Sequence, residues 1–415
     1  MAIRPTHLAV TFLLTMLTAL GPISTDLYLP ALPNIQDSFQ TDVPTVQLTL
    51  SVYMVAFAIC QLFAGAMSDQ YGRRKILLGS TFIYFLASIF CYFAGSIEEL
   101  IAGRLLQAVG ACGGIVIARA VIRDVYQPVD AAKLMSHMGT VMAIAPAAGP
   151  ILGGIVTVYF GWQGNFVMLS AFGGLCLFGI YFLLGETNKH IDPHAIKPRR
   201  MMRNFKFMLS HRAFVGFMLA CLFTYSGLFA WISGSAFVFI EVIGLSPDQY
   251  GYVFAGMVVG YMIGTQFGGR TVKKIGMRKL ILLGALFEML GGGVMLSMVL
   301  IEYVTVASIL IPMVLYAAGM GLVLPNSVAS AVGPFPKMAG AASSLMGFMQ
   351  YSGAAFVGLA VGHSFNLTAF PMAFAIAVMG VLTMVVYWMV IRGAEDLKDA
   401  GTPDEPAAKI IEEAV

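Results

Sequence analysis

The first residue in this sequence whose type could do chemistry in an unlikely place is Asp26, inside the stretch Leu20 to Pro33, LGPISTDLYLPALP. From Leu8 to Leu29 the residues are almost all apolar or small, and Asp26 is the only charge among them. At about 1.5 Å per residue such a helix crosses a hydrocarbon core of roughly 30 Å. An ionised aspartate facing lipid costs at least ~2.5 kcal/mol, so carboxylates in such helices usually face a bundle interior or wet cavity and bind protons, ions or substrate. The other reading places Asp26 near the outer helix end, just before Pro30 and Pro33, where it reaches interfacial water.

Two more ionisable residues stand in apolar runs. Arg104 lies in RLLQAVGACGG with Gln107 and Gly110, and either faces inward or snorkels to the interface. Spans one and four run in opposite directions, so Asp26 and Arg104 fall at similar depths and could meet. Glu288 sits near the middle of a later span, as a second proton site or paired within the carboxy-terminal half. Tyr28, Tyr53, Phe57, Gln107, Tyr225 and Trp231 are candidates to line an apolar, aromatic cavity, and 27 methionines suit adaptable ligand contacts as well as core filling. Pro146, Gly149, Pro150, Gly153 and Gly154 form a small-residue surface in AIAPAAGPILGG that allows close helix approach. The five cysteines show no metal-ligand spacing and read as buried hydrophobes, so no metal site is expected.

The elements that must position these residues are membrane helices. Of 415 residues, 59% are hydrophobic and 11% charged, against about 25% charged in soluble domains. The apolar runs are continuous, without the alternation of barrel strands. Spans are legible at about 8 to 30, 45 to 67, 76 to 95, 99 to 122, 132 to 158, 163 to 185, 212 to 240, 248 to 270, 279 to 299, 305 to 330, 339 to 361 and 369 to 392. With Arg4 inside, one set of breaks carries Arg73, Arg74, Lys75, Arg123, Lys133, the cluster from Lys189 to Arg212, Lys273, Lys274, Arg278, Lys279 and Lys337. The opposite breaks carry no lysine or arginine, only acids such as Asp37, Asp42, Glu98, Glu99, Asp248 and Glu302. The positive-inside rule then puts both termini in the cytoplasm.

The domain expectation is a six-helix bundle over 1–185, a cytoplasmic linker over 186–211, a second six-helix bundle over 212–392 and a disordered acidic tail over 393–415. The basic linker is either an amphipathic segment on anionic lipid or a solvated connector. Gly65, Gly72, Arg74 and Lys75 recur at constant offset as Gly269, Gly276, Arg278 and Lys279, which suggests duplicated halves with a site at their interface. Asp69 becomes Lys273 in the second copy, so the acidic role is confined to the first. A net charge of +3, with the basic residues confined to particular loops, implies no nucleic-acid partner. An enzyme is not expected, because there is neither HExxH nor a cysteine–histidine grouping. A primary pump is not expected either, for want of G-x-x-x-x-G-K-[ST].

GAMSDQYGRRKILL at Gly65 to Leu78 resembles the major facilitator superfamily loop signature G-x-x-x-D-x-x-G-R-[RK]. RLLQAVG resembles the fourth-helix R-x-x-Q-G motif of proton-coupled members, with Ala108 and Val109 inserted before the glycine. Gly149 to Gly154 resembles the fifth-helix antiporter motif, with Ala145 in place of its first glycine. With STDLYLPALP, ARAVIRDVY and PNSVASAVGPFPKMAGAASSLMG, nearly the whole chain resembles the bicyclomycin and chloramphenicol resistance branch of twelve-helix drug:proton antiporters. The resemblance implies an all-α integral membrane protein with twelve transmembrane helices in two six-helix bundles. It implies proton-coupled efflux of small amphipathic compounds, without a cofactor, by a monomer in lipid of the bacterial inner membrane. A dedicated exporter of an amino acid, purine or siderophore is the alternative. Asp26 and Arg104 become the expected proton-coupling pair. Asp69, Gly72, Arg73, Arg123 and Asp124 become the expected cytoplasmic gate.

Overall fold

The computed structural model describes residues 8–126, 128–188, 191–193, 195–394 and 400. Arg4, Lys189 and nearly all of the acidic tail lie outside the described residues, as do the side chains of Lys133 and Lys337. The chain is helical: α1 (Leu8–Asp26), a 3-10 turn (Leu29–Ala31), α2 (Leu32–Phe39), α3 (Val43–Tyr71), α4 (Arg73–Tyr92), α5 (Ile97–Val125), α6 (Pro128–Leu183), α7 (Pro198–Leu209), α8 (Arg212–Phe237), α9 (Pro247–Ile275), α10 (Met277–Leu300), α11 (Val306–Val332), α12 (Ala339–His363) and α13 (Phe370–Val386).

Among the described residues, ten helices are long and apolar enough to cross a membrane. Two more complete the expected twelve. α6 is two arms joined at Gly161, whose φ of 68° and ψ of 179° break the helix, and Thr157 accepts from Asn165 Nδ2 across that turn at 2.9 Å. α9 falls below the others in hydropathy because glycines, Gln266 and the terminal Arg270, Lys273 and Lys274 interrupt its apolar face.

Local chemistry sets the ends. Asp42 caps α3 by accepting from Thr45 N at 2.9 Å, and Ser96 caps α5 by accepting from Glu99 N at 3.3 Å. Thr305 and Ser308 form a reciprocal capping box on α11. Pro30 and Pro33 do not end the first span. Each sits in the first turn of a new short helix, where a missing N–H costs little, so the chain continues helically to Phe39. Gly72 and Gly276, at matching places in the duplicated hairpins, share one conformation, with φ of 97° and 85° and ψ of 146° and 149°. Only glycine adopts it without strain. The duplication extends to a hydrogen bond: Arg74 donates to Tyr181 O at the end of α6, and Arg278 donates to Ala394 O after α13.

Packing divides the chain into two compact units, one of 1–196 with 235–255, the other of 197–234 with 256–415. In the second, Gly260 and Gly264 of α9 lie directly against the carbonyls of Val314 and Ala318 of α11, where no side chain fits. The basic segment contains a helix, α7. It buries Met208 and packs Phe205 and Phe207 into the core around Phe214 and Phe335, while Arg199, Arg200, Arg203 and Lys206 are exposed.

Candidate substrate and proton site

Asp26 ends α1 and is 4% exposed, so it does not reach interfacial water. Its burial is the work of α6. A Cβ on Gly149 would lie 2.8 Å from Asp26 Cβ, and one on Gly153 would collide with Leu27 O. The antiporter-like glycines are therefore the surface on which the carboxylate-bearing turn is seated. Gly154 and Pro150, in the same motif, pack against Pro247 and Gly251 of α9 within the first unit. Pro146 lies half-buried one turn earlier. The Asp26 carboxylate accepts from Thr25 Oγ1 at 3.2 Å.

Arg104 lies two turns into α5 with none of its surface exposed. It does not pair with Asp26. Nη1 donates to Ser24 O at 2.9 Å and to Gln107 Oε1 at 2.6 Å, two residues short of the carboxylate. The guanidinium lies over the rings of Tyr28 and Tyr53, 4.6 and 4.3 Å from their centroids, an electrostatic attraction strengthened by the absence of water. Nε and Nη2 have no acceptor. Gln107 Nε2 donates to Ser88 Oγ at 2.8 Å, and the Tyr84 and Ser24 hydroxyls meet at 2.7 Å. Tyr28 OH meets Thr49 Oγ1 at 2.8 Å, and Phe57 stacks beside Tyr53 against Gly21. Tyr28, Tyr53, Phe57 and Gln107 thus gather around Arg104. Tyr225, edge-on to Tyr351, and the buried Trp231 belong to the second unit. Ser24, Tyr84 and Ser88 were not singled out from sequence, although Tyr84 and Ser88 are polar groups four apart on one face of an apolar helix.

At the α3–α4 hairpin, Arg73 is buried and central. It pairs with Asp69 one turn earlier, with Asp124 at the end of α5 at 3.1 Å, and with Ser68 Oγ at 2.6 Å. Arg123 is exposed and outside this cluster. Sequence reading missed Glu186. Its carboxylate accepts from the N–H groups of Arg73, Arg74, Thr187 and Asn188 at 2.9 to 3.2 Å, and so caps α4 from 113 residues away. Gly72 leaves the room: a Cβ there would lie 2.6 Å from Glu186 Oε2. Glu186→Ala is expected to cost about 1–2 kcal/mol, the worth of a strong N-terminal cap, and Glu186→Gln less. Thermal unfolding in detergent measures the order wild type, Gln, Ala.

The sequence profile of the Major Facilitator Superfamily matches residues 12–358 and again 219–412. The chain is 27% identical over 392 residues to the bicyclomycin resistance protein homolog of Haemophilus influenzae, covering 94% of this chain and 98% of that one. It is 33% identical over 388 residues to the uncharacterized MFS-type transporter YdgK of Bacillus subtilis, covering 91% and 94%. The multidrug resistance protein MdtL of Salmonella newport is 28% identical over 339 residues, 81% of this chain and 84% of that protein. Among solved structures, a D-xylose–proton symporter has the same fold, with a TM-score of 0.76 at 16% identity over 95% of this chain and 99% of that one. The chain belongs to the Major Facilitator Superfamily, and is a multi-pass membrane transporter of small molecules rather than an enzyme.

Proposed function

We propose that the protein exports small amphipathic compounds in exchange for inward protons, by alternating access in a bacterial cytoplasmic membrane with both termini inside. The observation that carries this reading is the seating of Asp26, a buried carboxylate with one hydrogen bond, on the glycines of the antiporter-like motif. The names of the bicyclomycin resistance and multidrug resistance relatives support export of drug-like compounds. Orientation rests on the confinement of lysine and arginine to alternate breaks. The proton gradient is the sole driving force, and the working unit is the monomer.

The chemistry follows from burial. A proton on Asp26 removes a charge that is costly inside the membrane, and a bound compound beside it shifts the balance toward release. Arg104 holds two buried donors in reserve, and the carboxylate that Asp26 becomes, or an acceptor oxygen on the compound, satisfies them. The aromatic faces of Tyr28, Tyr53 and Phe57 suit the apolar part of such a compound.

The test is transport in proteoliposomes over a panel of antibiotics, amino acids and purines, with an imposed pH gradient. Accumulation that a protonophore abolishes is expected for at least one amphipathic antibiotic. Uptake confined to amino acids or purines would replace drug export by metabolite export. Uptake indifferent to the protonophore would overturn proton coupling.

A further inference from the structure

The second unit holds a carboxylate that the exchange just described does not use. Glu288 lies mid-way along α10 with none of its surface exposed, where four helices of that unit converge. Thr224 of α8 donates to Glu288 Oε2 at 3.0 Å. Tyr316 of α11 and Thr383 of α13 flank the carboxyl group. Glycines draw the backbones together around it. A Cβ on Gly319 would lie 2.9 Å from Glu288 Cγ, and one on Gly380 would lie 2.6 Å from Glu288 O. Gly227 of α8 makes room for the Tyr316 hydroxyl.

This surrounding fits one form of the carboxyl group. An ionised carboxylate is acceptor-only and needs several donors or a counter-ion once water is excluded. Here its neighbours are neutral hydroxyls, of which Thr224 alone is directed at it and not shared. Glu288 Oε1 has no hydrogen-bond partner, and neither does the Tyr316 hydroxyl. The Thr383 hydroxyl lies beside Glu288 and shares its one proton with Met379 O, 3.0 Å away. Among the described residues, the titratable groups facing Glu288 are Cys221 of α8 and Tyr316 of α11, neither of them cationic. The basic residues on these helices, Arg212, Arg278 and Lys279, stand at helix ends, and Arg392 lies beyond the end of α13. A neutral acid, which accepts one bond and has one O–H to give, matches what Thr224, Thr383 and Tyr316 provide.

We propose that Glu288 is a second proton-binding site, built into the junction of α8, α10, α11 and α13, and that loss of its proton loosens that junction. A charge among backbones in glycine contact has only the neutral hydroxyls of Thr224, Tyr316 and Thr383 and no cation to turn to, so deprotonation is met by separation of the helices and entry of water. The proposal does not rest on Asp26, and its test removes Asp26.

Infrared spectra of the Asp26→Asn protein in lipid, recorded from mildly acidic to alkaline pH, are compared with those of Asp26→Asn/Glu288→Gln. The expected difference is a neutral-carboxyl carbonyl band, sensitive to D2O, that disappears on alkalinisation and is absent from the double variant. Carboxylate bands alone at every pH would overturn the proposal. Should the double variant fail to fold, 13C-glutamate labelling of the Asp26→Asn protein shifts the same band without a second substitution. Thermal unfolding tests the loosening. The melting temperature of Asp26→Asn should fall on alkalinisation more steeply than that of the double variant, and equal slopes would overturn it.

Discussion

Asp26→Asn is expected to reduce proton-driven export to the level left by a protonophore, while the protein still inserts, folds and binds its compound. Asparagine has nearly the volume of aspartate and keeps an oxygen to accept from Thr25, so the seat on Gly149 and Gly153 is undisturbed. What is lost is the ability to exist in two charge states. Without it, inward movement of the empty carrier and outward movement of the loaded one are no longer tied to a proton. The decisive reading is proton release on adding compound to detergent-solubilised protein. Wild type should release protons and Asp26→Asn should not. Equal release from both would move coupling to another carboxylate, with Glu288 the next to replace.

The second large effect is expected at Gly149. Alanine there puts a Cβ 2.8 Å from Asp26 Cβ and 3.4 Å from Leu27 N, a clash that backbone must yield to, and overpacking of this kind costs about 1–3 kcal/mol. Leucine cannot be accommodated without parting α1 from α6. Gly149→Ala should therefore lower the melting temperature and slow export, and Gly149→Leu should stop coupled export. The control is Gly293→Ala, where the added Cβ meets nothing within 4 Å and alanine favours the helix, so stability should hold or rise. Full export by correctly inserted Gly149→Leu protein would show that the close approach of α1 and α6 is not needed for transport.

How far sequence alone reaches can be seen at particular residues. The break near Gly161 was legible because two apolar runs flank it, and the hairpin glycines because they repeat. Depth was also legible: equal offsets along opposed helices brought Arg104 level with the end of α1. Azimuth was not. Depth says nothing of which face of a helix a side chain leaves from, and Arg104 spends Nη1 on Ser24 O and Gln107 while its plane lies over two tyrosines. The seating of Asp26 on Gly149 escaped for a related reason. Small-residue spacing announces a close approach but not its partner. Glu186 escaped because an exposed acid in a polar stretch looks like any other until the fold carries it to the start of α4.

The turn at Gly161 makes one span depend on its neighbour. One left-handed residue reverses the chain between the two arms of α6, leaving no stretch of loop long enough to be hydrated separately. Asn165, wholly buried, gives its amide N–H to Thr157 on the opposite arm, while the Thr157 hydroxyl itself donates to Gly153 O within the first arm. The first arm is thus complete in its own hydrogen bonds, and it is the second arm that needs the first, so Asn165 ties the sixth span to the fifth.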